Sequence, residues 1–295
     1  MKTTIRNQLK TVALLGGLTA LLVVLGGALA PGYLWLFGVL AVAMNLGSYF
    51  FSDRIVLAMN RAHPIGPGDD PALERMVAEL AARAEIPVPR IYVIDDPAPN
   101  AFATGRNPAR GVVAVTTGIR KLLTERELRG VVAHELAHIK NRDILVASIA
   151  AMIATVVSFI ATAVQWGAMF GGGRDDRDQP GGALGALALA IVAPIAATVI
   201  QLAISRQREY LADATGARIA DDPLALASAL AKLERGNARI PMHTVGDSPA
   251  TASLYICAPL SGSSVARWFS THPPIPERIR RLEELAAERP RRRAA

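Results

Sequence analysis

The sequence has little cysteine, few aromatic residues and little charge. Cys257 is the only cysteine among 295 residues, so no disulfide can form within the chain and a disulfide-stapled secreted fold is excluded. Aromatic residues make up 5% of the chain and charged residues 19%, whereas 51% of the residues are hydrophobic. This hydrophobic content excludes intrinsic disorder and is higher than an ordinary soluble enzyme of this size carries.

Charge is also unevenly distributed along the chain. No charged side chain occurs in three stretches, residues 11–52, 144–173 and 179–205. Each is long enough to cross a bilayer, which takes about 20 apolar residues per helix. The formal net charge is +7, and basic residues flank these stretches. We interpret the excess as positive charge beside a lipid bilayer. The sequence has no basic segment interleaved with aromatic residues, so we expect no nucleic-acid partner.

The first charge-free stretch predicts a membrane hairpin over residues 11–52, after a cytoplasmic N-terminus at 1–10. A neutral turn at Pro31 separates its two apolar runs. A cleaved signal peptide is the alternative, because a small-x-small triplet precedes Pro31, but the proline would obstruct cleavage there. Basic residues before the first run and after the second place both ends of the hairpin in the cytoplasm.

Residues 53–143 have the patterns of a compact region. Short apolar runs at 90–95, 101–104 and 111–116 predict a small β-sheet. This sheet either packs beneath helices or offers an exposed edge that pairs with an extended peptide. In the second interpretation the edge consists of Val112, Val113, Ala114 and Val115.

The strongest indication of chemistry is a His-Glu-x-x-His motif formed by His134, Glu135 and His138. Thr124 and Glu127 form a capping box, which predicts a helix that starts there and continues through the motif. At about 100° per residue the two histidines lie on one face of the helix, one turn apart, and can bind one metal ion. Glu135 falls in the buried arc, where a carboxylate is costly without a partner. The alternative is that the motif arose by chance and its histidines are hydrogen-bonded core residues. The position of the motif on a capped helix, with Glu135 facing inward, favours a zinc site instead.

A catalytic zinc site needs a third protein ligand. The candidates are His63, His243, His272 and any buried carboxylate. Glu209 has Asp213 one turn later, a spacing that lets Glu209 bind the metal while Asp213 accepts the outer N–H of a ligand histidine. The alternative for Glu209 is a salt bridge to a neighbouring arginine at a membrane edge.

Residues 144–204 predict a second hydrophobic hairpin whose two apolar runs are separated by a charged linker at 174–178. A pair of crossings returns the chain to its starting side, as a metal site shared by both halves of the domain requires. Long buried helices are the alternative, because Pro194 and a high alanine content weaken the runs as spans. The second part of the compact domain then covers 205–288, and a basic tail covers 289–295.

The chain as a whole resembles the bacterial HtpX-type membrane metalloproteases of peptidase family M48, relatives of the CaaX-processing Ste24 proteases. The resemblance is nearly full length and rests on two N-terminal spans and on motifs at 99–105, 113–118, 134–143, 205–213 and 270–274. Tyr210 stands where the family often has phenylalanine, and Ala258 where asparagine is common. Neither departure touches the expected chemistry.

The resemblance implies a mainly α-helical membrane protein with a cytoplasmic α+β zincin-like (gluzincin) metalloprotease domain that contains a small β-sheet. It implies a multi-pass zinc endopeptidase of the bacterial inner membrane, with its active site facing the cytoplasm. Its substrates would be misfolded or damaged membrane proteins, in quality control and the stress response. One Zn²⁺ per subunit would be bound by His134, His138 and Glu209, with Glu135 as general base.

The resemblance also implies groups that handle the substrate. In the Ste24 relatives a histidine and an arginine at the spacing of His272 and Arg278 hold the substrate and the developing oxyanion. The alternatives are a helix-entry turn for His272 and a surface position for Arg278. The substrate would lie along Val112 to Val115, with Asn100 as a further substrate-binding residue.

Other functions stay open from the sequence alone. A sequence-selective processing protease of the CaaX type would need an enclosed apolar cavity rather than an open groove. A zinc-stabilised membrane adaptor that binds clients without cutting them would not need Glu135. The basic tail could suggest a nucleic-acid arm, but so short a run is more typical of a solvated tail or of one held by anionic lipid.

Overall fold

A computed structural model describes most of the chain. It covers residues 2–29, 31–150, 153, 206–240, 242, 254–257 and 273–293. Within these residues helices dominate around one small mixed β-sheet, as the sequence predicted. Most of the predicted second hairpin, including its charged linker and Pro194, lies outside the described residues, as do His243, Ala258 and His272.

Two long apolar helices open the chain. α1 (Lys2–Leu29) and α2 (Leu34–Met59) are joined by a 3-10 turn, Pro31–Tyr33. Asn7–Val24 of α1 and the whole of α2 are long and apolar enough to cross a membrane, in agreement with the predicted hairpin. Both helices extend beyond the charge-free stretch because an established helix propagates through polar residues of good helix propensity.

α2 exposes a large apolar surface. Trp35, Val39 and Val42 are 68%, 58% and 60% exposed. A contiguous apolar surface of this kind marks contact with another apolar phase. Together with the length of the helix, this surface favours a bilayer as the neighbour of α2.

The sheet has four strands, β1 (His63–Pro64), β2 (Arg90–Ile94), β3 (Ala101–Thr104) and β4 (Val112–Thr116). Their order across the sheet is β1-β2-β4-β3. β2 and β4 run parallel, whereas β1 is antiparallel to β2 and β3 is antiparallel to β4. β3 is therefore the edge strand next to β4.

The hypothesis that Val112 to Val115 forms an exposed edge is wrong. β4 pairs with β2 on one side and with β3 on the other, and all four residues are fully buried. The physical reason is that a continuous apolar run rich in valine fits a strand buried on both faces. The edge beside the candidate site belongs to β3.

Helices surround the sheet. They are α3 (Pro71–Arg83), α4 (Thr117–Leu122), α5 (Glu125–Lys140), α6 (Arg206–Ala220), α7 (Pro223–Arg239) and α8 (Ile275–Arg293). α5 carries the His-Glu-x-x-His motif and contacts α6, α7 and β3. α8 continues through residues 289–293, so most of the predicted basic tail is helical.

Close packing of α5 on α6 depends on Gly216. A Cβ at this position would lie 2.8 Å from the backbone N and Cα of His134, closer than such atoms approach. The glycine therefore lets α6 lie directly against the turn of α5 that carries His134. Earlier turns of α6 then bring Glu209 and Asp213 within 4 Å of the histidine ring.

The chain beyond α5 continues beside the first apolar helix. Residues 144–150 are helical and follow a short turn after α5. Apolar side chains of this segment and of α1 pack together in one cluster that includes Leu14, Leu18, Leu21, Val146, Ile149 and Ile153. The beginning of the predicted second hairpin is therefore packed on α1.

Candidate metal centre

The start of α5 is fixed by the predicted capping box. The Thr124 hydroxyl accepts the N–H of Glu127 at 3.3 Å, and the Glu127 carboxylate accepts the N–H of Thr124 at 2.9 Å. Ten residues later, this helix phase places His134 in the core with Glu135 beside it. The capping pair therefore sets which side chains of the motif face inward.

Three predicted ligands converge. The Nε2 atoms of His134 and His138 lie 3.1 Å apart. The Glu209 carboxylate lies 3.8 Å from the first and 3.7 Å from the second. All three ligand atoms fall within 4.8 Å of one another, so the cluster can hold a metal ion. His63 lies elsewhere, at the surface near Asp95.

Each histidine has a carboxylate behind it. Asp213 lies 3.0 Å from Nδ1 of His134, the position expected from its spacing to Glu209. Both oxygens of Asp143 lie 3.1–3.2 Å from Nδ1 of His138. A carboxylate that accepts the Nδ1 proton fixes the ring and leaves the Nε2 lone pair facing the metal.

Asp143 was missed as a partner of His138 by sequence reasoning. It follows α5 by three residues and would point away if the helix simply continued. The intervening Arg142 has φ = 58°, the left-handed conformation that turns the chain back. This conformation usually indicates glycine, so an arginine gave no local indication of the turn. The presence of Asp143 in the family motif at 134–143 was the only sequence feature that pointed to this residue.

The charge around the histidines favours a cation. Burial alone would lower the pKa of His138, but the carboxylates of Asp143 and Glu209 raise it to about 10. Burial lowers the pKa of His134, and burial raises the pKa of Glu135 to about 7. A proton on His138 therefore supplies positive charge between the carboxylates of Asp143 and Glu209, and a cation bound by the two Nε2 atoms and Glu209 would supply it in place of that proton. The residues present therefore fit a divalent metal.

Arg278 lies buried beside the metal cluster rather than at the surface, with Nη2 3.4 Å from Nε2 of His134. It is 0% exposed, and its Nε and Nη2 donate to the two Asp213 oxygens at 2.9 and 2.7 Å. Its Nη1 donates to the carbonyl of Ile256 at 3.0 Å. Burial alone would lower the pKa of Arg278, but Asp213 and Glu209 raise it, so it stays charged. The surface alternative is wrong, and the oxyanion role stays a prediction.

Asn100 contacts the protein's own chain. Its amide N–H donates to the carbonyl of Cys257 at 2.9 Å, and its carbonyl accepts the N–H of Cys257 at 3.3 Å. Asn100 is also fully buried. Both polar groups of its amide therefore bind Cys257 of the same chain, and the role of Asn100 in substrate binding stays a prediction.

A pocket opens at the three ligands. Its wall consists of Ala103, His134, Glu135, His138, Asp143, Ile144, Ala147, Arg208, Glu209, Leu254 and Ile256. The apolar residues of this wall are Ala103, Ile144, Ala147, Leu254 and Ile256. The backbone N–H of Ala103, in β3, bonds the Glu135 carboxylate. The pocket therefore joins the metal cluster to the end strand of the sheet.

One helix thus supplies two histidines and a glutamate, and a second helix supplies a further acidic group, which defines a metallopeptidase-type centre. The sequence pattern described as Peptidase family M48 matches residues 67–286. The chain belongs to this family, and the predicted family is confirmed.

The resemblance to HtpX-type proteases extends along the chain. A "Protease HtpX homolog" of Syntrophobacter fumaroxidans is 56% identical over 282 residues, which cover 95% of this chain and 99% of the relative. Relatives of the same name from Pelotomaculum thermopropionicum and Burkholderia thailandensis are 51% and 49% identical, each over 95% of this chain and 99% and 97% of the relative. The "Crystal Structure of S. mikatae Ste24p" aligns at 20% identity with a TM-score of 0.49, over 95% of this chain and 66% of that chain.

Proposed function

We propose that this chain is a zinc endopeptidase of the bacterial inner membrane, with its site facing the cytoplasm. It hydrolyses peptide bonds of misfolded or damaged membrane proteins in quality control and the stress response. The observation that carries the proposal is the convergence of His134, His138 and Glu209 beside the buried Glu135. Membership of a metallopeptidase family and two apolar helices of membrane length support it.

Zinc suits the three ligands. Two imidazole nitrogens and one carboxylate are the protein ligand set of many catalytic zinc sites, which keep a fourth position open. When bound, the ion would supply Lewis-acid polarisation of the scissile carbonyl and would lower the pKa of water to about 7. Asp213 and Asp143 hold the rings of His134 and His138 so that both Nε2 lone pairs face the same point.

Glu135 handles the proton. Its carboxylate lies on the pocket wall, and burial raises its pKa to about 7. A group with such a pKa can accept a proton from the attacking water and deliver it to the leaving nitrogen at neutral pH. A structural metal site would need no such base, and this favours a protease over a zinc-stabilised adaptor.

The substrate would add as a strand to the outer edge of β3. At the Ala101 end this edge is already paired, because the N–H of Ile256 donates to the carbonyl of Ala101 at 3.0 Å, so the peptide would pair beyond it, along Ala103 and Thr104. Two residues further on, Ala103 faces the same way and reaches Glu135. A peptide paired there would be extended and would pass the metal cluster. Selection for unfolded segments follows, because a folded chain has few free extended backbones.

The orientation in the membrane rests on the basic residues. Lys2, Arg6 and Lys10 precede the apolar part of α1, and Arg54 and Arg61 follow that of α2. The positive-inside rule therefore places this end of both helices in the cytoplasm. The contact of Asn7 with the end of α5 lies at the same end, so the site would face the cytoplasm too.

Digestion of casein or of an unfolded membrane protein by detergent-purified protein tests the proposal. Glu135→Gln is the matched control, because it keeps the size of the side chain and removes the base. Cleavage by the wild type and none by the variant would support a protease. Client binding without cleavage by the wild type would support the adaptor instead.

A further inference from the structure

α1 reaches the candidate site through Asn7. The side-chain amide of Asn7 donates to the backbone carbonyl of Asn141 at 3.3 Å and to that of Arg142 at 3.1 Å. Asn7 is 3% exposed, although it lies at the start of an apolar window of membrane length. Buried polar side chains are almost always hydrogen-bonded. The two carbonyls satisfy the amide N–H groups of Asn7, whereas its Oδ1 has no hydrogen-bond partner among the described residues.

The two carbonyls belong to the turn that ends α5. Arg142 has φ = 58°, a conformation that costs a non-glycine residue free energy. The N–H of Arg142 donates to Ile139 at 3.1 Å and that of Asp143 to His138 at 3.3 Å, so the chain folds back on the helix. A residue stays in such a conformation when its surroundings enforce it, and the Asn7 amide is one of these constraints.

This turn sets the position of Asp143. Asp143 directly follows the left-handed residue, and both its oxygens lie within 3.2 Å of Nδ1 of His138. A relaxed turn would move the carboxylate away from the ring. His138 would then lose the partner that holds its orientation and its tautomer.

α1 is held in place along the segment that follows the turn. The packed side chains are Leu14, Leu18 and Leu21 of α1 with Val146, Ile149 and Ile153. These contacts fix the register of α1 relative to residues 144–150 and Ile153. The register in turn keeps Asn7 opposite the two carbonyls.

We infer that Asn7 is a positioning residue of the metal site. By binding the carbonyls of Asn141 and Arg142 it holds the turn from which Asp143 orients His138. The first apolar helix is then a structural part of the site as well as a membrane span. The inference rests on the proposed function, since it requires that His138 binds the metal.

Zn²⁺ affinity of the full-length, detergent-purified protein tests the inference, measured by competition with a chromophoric chelator. Asn7→Leu removes both donors at similar size and should weaken binding roughly 10-fold, the lower end of the effect of losing a ligand's hydrogen-bond partner. Asp143→Asn should weaken it roughly 10- to 100-fold. Because Asn7 acts through Asp143, the double variant should match Asp143→Asn within about twofold.

Thr11→Val is the matched control. Thr11 lies one turn further along α1, is also buried, and donates within the helix to the carbonyl of Asn7 at 3.0 Å. This variant should leave the Kd for Zn²⁺ unchanged. If Asn7→Leu does not fold, Asn7→Asp keeps the size, replaces donors with acceptors and should weaken binding at least as much.

Two results would overturn the inference. One is a Kd for Zn²⁺ equal to that of the wild type in Asn7→Leu, even if the melting temperature of the metal-free protein falls. The other is a double variant whose loss equals the product of the two single losses. A wild-type protein that binds no Zn²⁺ would instead contradict the proposed function.

Discussion

Arg278 and Asp213 form a fully buried bidentate pair, with N–O distances of 2.9 and 2.7 Å. Asp213 also lies 3.0 Å from Nδ1 of His134, and the guanidinium itself lies 3.4 Å from Nε2 of His134 and 3.9 Å from the Glu209 carboxylate. Two parallel N–H···O bonds fix orientation as well as distance. The geometry therefore predicts that Arg278 acts by holding Asp213.

Replacement of Arg278 separates this role from stabilisation of the oxyanion. Arg278→Ala leaves Asp213 as a buried charge without its partner and should lower stability by about 3–5 kcal/mol, together with Zn²⁺ affinity. Arg278→Lys keeps the charge but loses the planar guanidinium, so its stability and Zn²⁺ affinity should lie between those of the wild type and Arg278→Ala. Thermal unfolding and a zinc titration measure both. Unchanged zinc binding and stability with turnover reduced roughly 100- to 1,000-fold would favour the oxyanion role instead.

The ligand set is tested by metal analysis of single variants. His134→Ala, His138→Ala and Glu209→Ala should each lose zinc, because three protein ligands are the minimum for a catalytic site. Glu135→Gln should keep zinc and lose cleavage. Full zinc occupancy in Glu209→Ala would move the third ligand elsewhere, and His272, outside the described residues, is then the first candidate.

Two glycines of the core provide a matched pair. A Cβ at Gly216 would lie 2.8 Å from the backbone of His134, and one at Gly130 would lie 2.7 Å from the backbone N of Leu226. Both alanine variants should lose about 1–3 kcal/mol of stability through overpacking. Gly216→Ala should also weaken zinc binding, because it pushes α6 away from His134. Equal zinc affinities in the two variants would contradict the role assigned to Gly216.

Glu127 should contribute acid-sensitive stability. Burial alone would raise its pKa, but hydrogen bonds from Lys232, Ser228 and Thr124 lower it from 4.5 to about 2. Because the folded pKa lies below the unfolded one, the stabilisation is complete above about pH 4.5 and is lost as the pH falls towards 2.

The variant Glu127→Gln tests this contribution. It should lower stability at pH 7 by about 1–3 kcal/mol, the value of hydrogen bonds to a charged group. The difference from wild type should shrink below pH 4.5, as thermal unfolding at several pH values would reveal. Glu125→Gln, an exposed neighbour in the same helical turn, is the control and should change little. A pH-independent difference would show that the charge of Glu127 is not the cause.

Reporter fusions test the topology. A reporter after Arg61 should behave as cytoplasmic, because basic residues flank both apolar runs. One placed in the linker at 174–178 should behave as external. External behaviour at Arg61 would contradict the first hairpin, and cytoplasmic behaviour at the linker would contradict the second hairpin alone.

Local features of this protein followed from its sequence. Thr124 and Glu127 predicted the start of α5, and the spacing of His134 and His138 predicted their shared face. The long charge-free stretch predicted two apolar helices, and the four-residue spacing of Glu209 and Asp213 predicted that they share one helix face. Each of these features is decided by side chains within a few residues of one another, so periodicity and capping patterns are enough.

The tertiary structure decided which distant segments lie side by side. The valine-rich run at Val112 to Val115 suits a sheet edge or a central strand, and pairing with β2 and β3 makes it central. Asn100 meets Cys257 because segment 254–257 lies along β3, and Asp143 reaches His138 because the backbone reverses at Arg142. Such contacts depend on how the whole core packs, and no pattern of neighbouring residues encodes them.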